Sequence, residues 1–210
     1  TAIYFLNFCN ILFYKSKKIA YSKLEGEIMN ALETKIKLID GQVKLSGTAR
    51  ENPEIIIDYF GSEYKGVPIV YSEEETPLGT GGGIKKALSF CYEEDVFVIN
   101  GDSFFLANLQ DMFSFHQNNN FDITIAVKEM LDFDRYGTVN IKDNRIVSFE
   151  EKKATKRGYI NCGVYILRKD ILNSIEKETF SFEKEFLEND EVKKDCGAYI
   201  SDGYFIDIGV

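Results

Sequence analysis

Between residues 67 and 127, apolar runs of strand length alternate with segments of helical period, and this constrains the fold more than any other feature. "VPIVYSEE" reads as a strand, and the glycine-rich "ETPLGTGGGIKKAL" loops away from it. "GIKKALSFC" reads as a helix with Ile84, Ala87, Leu88 and Cys91 on one face. "DVFVINGD" is an unbroken apolar run, the pattern of a strand covered on both faces. "NLQDMFSFHQNNN" places Leu109, Met112, Phe113 and His116 at i, i+3, i+4 and i+7, and "DITIAVK" is the next strand. Such alternation predicts an α/β fold: a mostly parallel mixed sheet with helices on both faces.

The flanking segments fill in this frame. "PEIIIDYFG" reads as a short helix closed by Gly61. "YGTVNIKDNRIVSFEEK" predicts a hairpin turning at Asp143-Asn144, and "YINCGVYIL" a strand. "RKDILNSI" and "FSFEKEFLE" predict helices, and "GAYISDGYFIDIG" a second hairpin turning at Asp202-Gly203. The hairpins form a small antiparallel patch beside the parallel sheet. Residues 1–53 read differently and are set apart as an atypical N-terminal segment, leaving 54–210 as the regular domain. In the N-terminal segment Ile19, Leu24, Ile28, Leu32 and Ile36 recur at helical spacing, and "GQVKLSGTAREN" reads as a short strand and a turn.

Composition excludes several functions. The net charge of −9 repels a phosphate backbone, which argues against general nucleic-acid binding. A small phosphorylated ligand stays compatible, because a divalent metal bridges carboxylates to phosphates. Cys9, Cys91, Cys162 and Cys196 form no C-x-x-C pair and His116 is the single histidine, which argues against zinc. Widely spaced thiols are expected to be reduced and buried, as in a cytoplasmic protein. The apolar opening "TAIYFLNFCNILFY" is shorter than the ~20 residues that span a bilayer, so no membrane association is expected.

Three places could carry chemistry. "GTGGGI" fits neither the G-x-G-x-x-G fingerprint nor the P-loop. Its glycines cap a helix in a tight turn, or bring a backbone edge to a ligand. Asp102 follows a buried strand at its carboxyl end, where ligands bind in open α/β sheets. It holds Mg²⁺ there, or it caps the next segment from an Asn-Gly-Asp turn. Asp207 in "YFIDIG" is a costly residue for an apolar strand unless paired, and is either a second metal ligand or a buried ion pair.

In order, "PLGTGGGIKKAL", "VINGDSFF", "ITIAVKEMLDFDRYGTV", "FEEKK", "INCGVYIL" and "YFIDIGV" resemble the motifs of sugar-phosphate nucleotidyltransferases over about residues 54–210. The run "FDRYGTV", "SFEEK" and "INCGVYIL" is most similar to the heptose 1-phosphate guanylyltransferases among them. The resemblance implies a Rossmann-like fold and a cytoplasmic enzyme joining a nucleoside triphosphate, GTP, to a sugar 1-phosphate, heptose 1-phosphate. The products are a nucleotide sugar, used for surface glycans, and pyrophosphate. It implies Mg²⁺ at Asp102 and Asp207, Gly79 and Thr80 at the base, and Gly137 and Glu151 at the sugar. Lys152 would meet the sugar phosphate, with Asn161 and Gly163 lining the sugar side. Asp102 and Lys152 are then the catalytic pair. Homo-oligomeric assembly stays open.

One part of the family pattern is not found. The family opens with a G-G-x-G-T-R-L loop that holds the triphosphate, whereas "LSGTAREN" lies only about thirty residues before Pro77. Losing one preorganised donor costs roughly 10²–10³ in rate, and losing a charge-stabilising Arg roughly 10³–10⁵. These 210 residues are therefore expected to turn over slowly. The alternative is a non-catalytic sugar-phosphate or nucleotide binding protein derived from the family. A degraded reading frame that folds poorly is a third reading.

Overall fold

The computed structural model describes residues 3–6, 11–14, 57, 61–64, 67–193 and 195–207. The expected helix over Ile19 to Ile36, "GQVKLSGTAREN", Cys9 and nearly all of "PEIIIDYFG" lie outside the described residues. At the end of that last stretch, Gly61 has φ +63° and its N–H donates to the Ile57 carbonyl at 2.8 Å, a glycine closing a helical turn.

The principal sheet contains β1 (Ile3–Leu6), β2 (Ile11–Tyr14), β3 (Glu63–Tyr64), β4 (Val67–Ser72), β5 (Asp95–Asn100) and β7 (Ile123–Phe133). It is completed by β8 (Thr138–Lys142), β9 (Arg145–Glu150), β10 (Thr155–Arg168) and β11 (Cys196–Ile200). Among the described residues the spatial order is β3-β4-β1-β2-β5-β10-β7-β11-β9-β8. β4, β1, β5, β7 and β11 point the same way, while β2 and β10 run against them on either side of β5. The sheet is thus mixed, with a shared direction in its framework strands and two reversed strands interleaved. β1 and β2, from the N-terminal segment, belong to this same sheet.

Burial alternates along the central strands with the period of 2 that a pleat imposes. Val96, Val98, Tyr165 and Leu167 face one core with Ile84, Ala87 and Leu88 of helix α1 (Gly79–Leu88). Phe97, Val164 and Ile166 face the other core with Met112 of helix α2 (Leu109–Asn119). Helices therefore cover both faces, and each fully buried Val, Leu, Ile or Phe contributes about 1.5–3 kcal/mol. Cys91, Cys162 and Cys196 are buried, and burial pushes the Cys91 and Cys162 thiols up to about 12. Buried His116 joins α2 to the sheet, with Nδ1 2.8 Å from Thr124 Oγ1 and Nε2 3.3 Å from Asp95 Oδ1. No helix among the described residues is long and apolar enough to cross a membrane.

The expected hairpin forms between β8 and β9, with Asp143 and Asn144 at φ +51° and +61°. Three local expectations are corrected. The glycine stretch is not a loop ahead of a helix, because α1 begins at Gly79. "RKDILNSI" makes successive tight turns instead of a helix, with Ile171, Asn173 and Ile175 each donating to the carbonyl three residues back. There Asn173 Nδ2 donates to Asp170 Oδ1, a side-chain bond that competes with helix propagation. "GAYISDGYFIDIG" is no hairpin: β11 runs parallel to β7, and β12 (Phe205–Asp207) pairs with β6 (Ser103–Phe105) in a separate two-stranded sheet. Neither Asp202 nor Gly203 takes the positive φ that a tight hairpin turn requires. The last expected helix appears as a π-helical segment, Phe182–Leu187, followed by the short helix α3 (Asp190–Lys193).

Candidate functional site

β5 ends at Asn100, and Gly101-Asp102 lead directly into β6, so Asp102 stands at a carboxyl strand end. β12 then pairs antiparallel with β6 in the register Asp207↔Ser103, which brings the second sequence-predicted carboxylate alongside the first. Asp102 is half-buried, and its carboxyl is raised above its ordinary value. Burial is the main cause, and the negative charges of Asp207 and Glu183 add to it. Two half-buried carboxylates brought together in this way could hold a cation between them. Among the described residues no three or more His, Cys, Asp or Glu side chains form a complete metal cage. A pair suits Mg²⁺, which takes one or two carboxylates and fills its octahedron with water and substrate phosphate oxygens.

Asn161 and Gly163 join this centre from β10. The β10–β7 register shifts between Asn161 and Tyr165. Within the irregularity Asn161 Oδ1 accepts from the Gly163 N–H at 2.9 Å, and Asn161 Nδ2 donates to the Tyr165 hydroxyl at 2.9 Å. Gly163 has φ +72°, and a Cβ there would lie 2.5 Å from Ser103 Oγ and 3.0 Å from Asn100 Cβ. Only glycine allows β10 to approach the strand end that carries Asp102 so closely.

Gly79 and Thr80 reach the centre through a contact the sequence did not signal. Residues 178–183 lie directly across the first turn of α1. The Gly81 N–H donates to the Phe180 carbonyl at 2.9 Å, and the Phe180 N–H donates to the Leu78 carbonyl at 3.1 Å. Thr80 Oγ1 donates to Glu183 Oε2 at 2.9 Å and accepts from the Phe182 N–H at 2.8 Å. A Cβ on Gly79 would sit 2.6 Å from the Phe180 carbonyl oxygen, and one on Gly82 would sit 2.0 Å from that of Glu178. The glycines make room for another part of the same chain. The Leu78 N–H, just ahead of the helix, is capped by Glu74 Oε2 at 2.9 Å. Thr80 is thus tied to Glu183, the acid whose charge also acts on Asp102 and on the buried Tyr165 hydroxyl.

Gly137, Glu151 and Lys152 lie at the mouth of the β8–β9 hairpin. A Cβ on Gly137 would meet the Glu150 carbonyl oxygen at 2.6 Å. Glu151 is exposed, 4.0 Å from Lys184 Nζ, and Lys152 is exposed as well. Glu150, one residue earlier, is the acid bound within the hairpin: it accepts from Asn140 Nδ2 at 2.8 Å and pairs with Lys153. Tyr136 links the mouth to the centre, with its ring 5.8 Å from that of Phe205 and its hydroxyl raised by burial and by Asp207. Glu183, Tyr165 and Phe180 escaped the sequence reading. Glu183 stood in a charged amphipathic segment with nothing to distinguish it from Glu185, which pairs with Lys177.

Known proteins bear on this geometry. Residues 28–209 match the nucleotidyl transferase family. The chain is 49% identical over 158 residues to D-glycero-alpha-D-manno-heptose 1-phosphate guanylyltransferase of Aneurinibacillus thermoaerophilus, covering 75% of this chain and 69% of that one. It is 48% identical over 159 residues to the enzyme of the same name from Campylobacter jejuni, again covering 75% and 69%. Among solved structures it is similar to HddC from Yersinia pseudotuberculosis complexed with GMP-PN, with a TM-score of 0.66 and 31% identity, covering 77% of this chain and 70% of that one.

Proposed function

The chain belongs to the nucleotidyl transferase family, and from that premise we propose that it joins GTP to a heptose 1-phosphate, giving a GDP-sugar and pyrophosphate. The observation that carries the reading is the convergence of Asp102 and Asp207 at one strand end. Names of relatives at 48–49% identity supply the base and the sugar.

A phosphate oxygen of the sugar 1-phosphate attacks the α-phosphorus of GTP. The new P–O bond forms as the α–β phosphoanhydride breaks, and pyrophosphate leaves with the electron pair. No bond to the protein forms, so the residues act by placement and charge. Asp102 and Asp207 would hold Mg²⁺, which when bound neutralises phosphate charge. The Thr80 hydroxyl is already taken by Glu183 and Phe182, so Gly79–Thr80 offer a base their backbone edge. Asn161 and Gly163 line the sugar side, Glu151 accepts sugar hydroxyls, and Lys152 meets the sugar phosphate. Exposed Lys152, and Glu151 in its exposed 4.0 Å ion pair with Lys184, can turn toward a substrate at the hairpin mouth.

The test is pyrophosphate release from GTP plus heptose 1-phosphate with Mg²⁺, together with a GTP titration. Release that is slow, requires both substrates, and disappears in Asp102→Asn and Asp207→Asn supports the assignment. Mg²⁺-dependent GTP binding unchanged in both variants overturns the metal site. Sugar-phosphate binding without any turnover favours the binding-protein alternative.

A further inference from the structure

Asp207 reaches the site on a strap of backbone, residues 201–204, that departs from β11 and crosses to β6. Four contacts fix its course. The Ser201 N–H donates to the Val127 carbonyl at 3.0 Å, and the Leu106 N–H donates to the Tyr204 carbonyl at 2.9 Å. Gly203 passes so near Leu106 that a Cβ would lie 1.9 Å from its carbonyl oxygen. Between these, half-buried Lys128 of β7 sends its ammonium to the Gly203 carbonyl at 2.5 Å and toward the Asp202 carbonyl at 3.4 Å. Of the four, it is the side-chain contact and the charged one, and charge-assisted bonds are about twice as strong as neutral ones. Lys128 also stands opposite Ile160 in the β10 register, one residue before Asn161, and its charge acts on the Cys162 thiol. It therefore sits between the strap and the irregular part of β10 that carries Asn161 and Gly163.

We propose that Lys128 is a positioning residue of the cation site: by holding the strap at Gly203 it sets Asp207 beside Asp102. This rests on the reading of Asp207 as a metal ligand. The sign of the effect separates positioning from charge. Removing a positive charge near a cation site raises cation affinity by Coulomb's law. Releasing the strap lowers it, because one of the two carboxylates is no longer held in place.

The experiment measures Mn²⁺ binding by the loss of free-ion EPR signal, with hydrogen exchange of residues 103–107 and 201–207 followed by mass spectrometry. The proteins are the wild type, Lys128→Met, Lys128→Arg and Asp207→Asn. In Lys128→Met the Mn²⁺ Kd should rise about tenfold, the size of one charge-assisted hydrogen bond, and exchange in both segments should quicken. Lys128→Arg keeps charge and donors and should restore both readouts. Should Lys128→Met fail to fold, Lys128→Gln replaces it with the same expectation for Mn²⁺. Unchanged or tighter Mn²⁺ binding in Lys128→Met, with weak binding in Asp207→Asn, overturns the role of Lys128 alone. Wild-type binding in Asp207→Asn overturns the metal reading, and the proposal with it.

Discussion

Gly82→Ala tests the packing of residues 178–183 across α1. In an open helix the change would stabilise by about 1 kcal/mol, because alanine has the higher helix propensity. Here the new Cβ would lie 2.0 Å from the Glu178 carbonyl oxygen and 2.9 Å from Leu78 Cβ. Such overpacking costs about 1–3 kcal/mol, and more where the obstacle is backbone. The backbone obstacle places this site at the upper end, so the net loss should be about 2 kcal/mol. For a chain of this length that lowers Tm by about 4–8 °C. Gly81→Ala offers an internal comparison, because its Cβ would meet the Phe180 ring, at 2.1 Å from Cε2. A ring yields where a carbonyl does not, so Phe180→Ala should relieve Gly81→Ala by about 1–3 kcal/mol and leave Gly82→Ala unrelieved. Urea unfolding of the two single variants, Phe180→Ala and the two doubles gives both cycles. A neutral or stabilising Gly82→Ala, or equal relief of both glycine variants, would refute the docking of 178–183 on the helix.

Two further outcomes follow from charge. Burial, then Asp207 and Glu183, raise the Asp102 carboxyl above 3.8, so ionising it opposes folding. The stability that its protonated form contributes is full below 3.8 and is lost as pH rises through the raised value. In chelator-treated buffer Asp102→Asn should therefore be more stable than the wild type at pH 7 and equal to it at pH 3, read from urea midpoints; a less stable variant at pH 7 contradicts this. The hydrogen bond to His116 lowers the Asp95 carboxyl, which gives the opposite sign. Asp95→Asn should lose stability above pH 4, and the deficit should shrink as pH falls through the folded value; a pH-independent deficit would trace the loss to packing.

The strands, α2 and the β8–β9 hairpin were legible because their information is local. "DVFVI" shows a two-sided strand by having no polar alternate, and Asp143-Asn144 carry the positive φ of their turn in their own chemistry. Asp102 was legible as a carboxylate following a buried strand and Asp207 as one within an apolar run, positions that ask for an explanation by themselves. The misreadings occurred where distant backbone overrides a local preference. Asp202-Gly203 has the composition of a hairpin turn, yet Lys128 and Leu106 draw it out into a strap. The glycines at 79–82 have the composition of a loop, yet the helix already begins at Gly79 and its first turn packs on residues 178–182. Glu150 and Glu151 are indistinguishable in a charge run, and Asn140 across the hairpin decides which is bound.

The docked start of α1 also dictates an order of events during synthesis. Gly79, Gly81, Gly82 and Gly83 each cost the helix about 1 kcal/mol relative to alanine, so this first turn is poorly able to nucleate alone. Its partner Glu183 lies 103 residues later in the chain than Thr80. A ribosome adding about 5–20 residues per second takes about 5–20 s to cover that distance. Through that interval the nascent chain carries α1 with the seam along its first turn, where residues 178–183 will pack, still unfilled. The turn that reads most like a self-contained motif is among the last parts of the molecule to close.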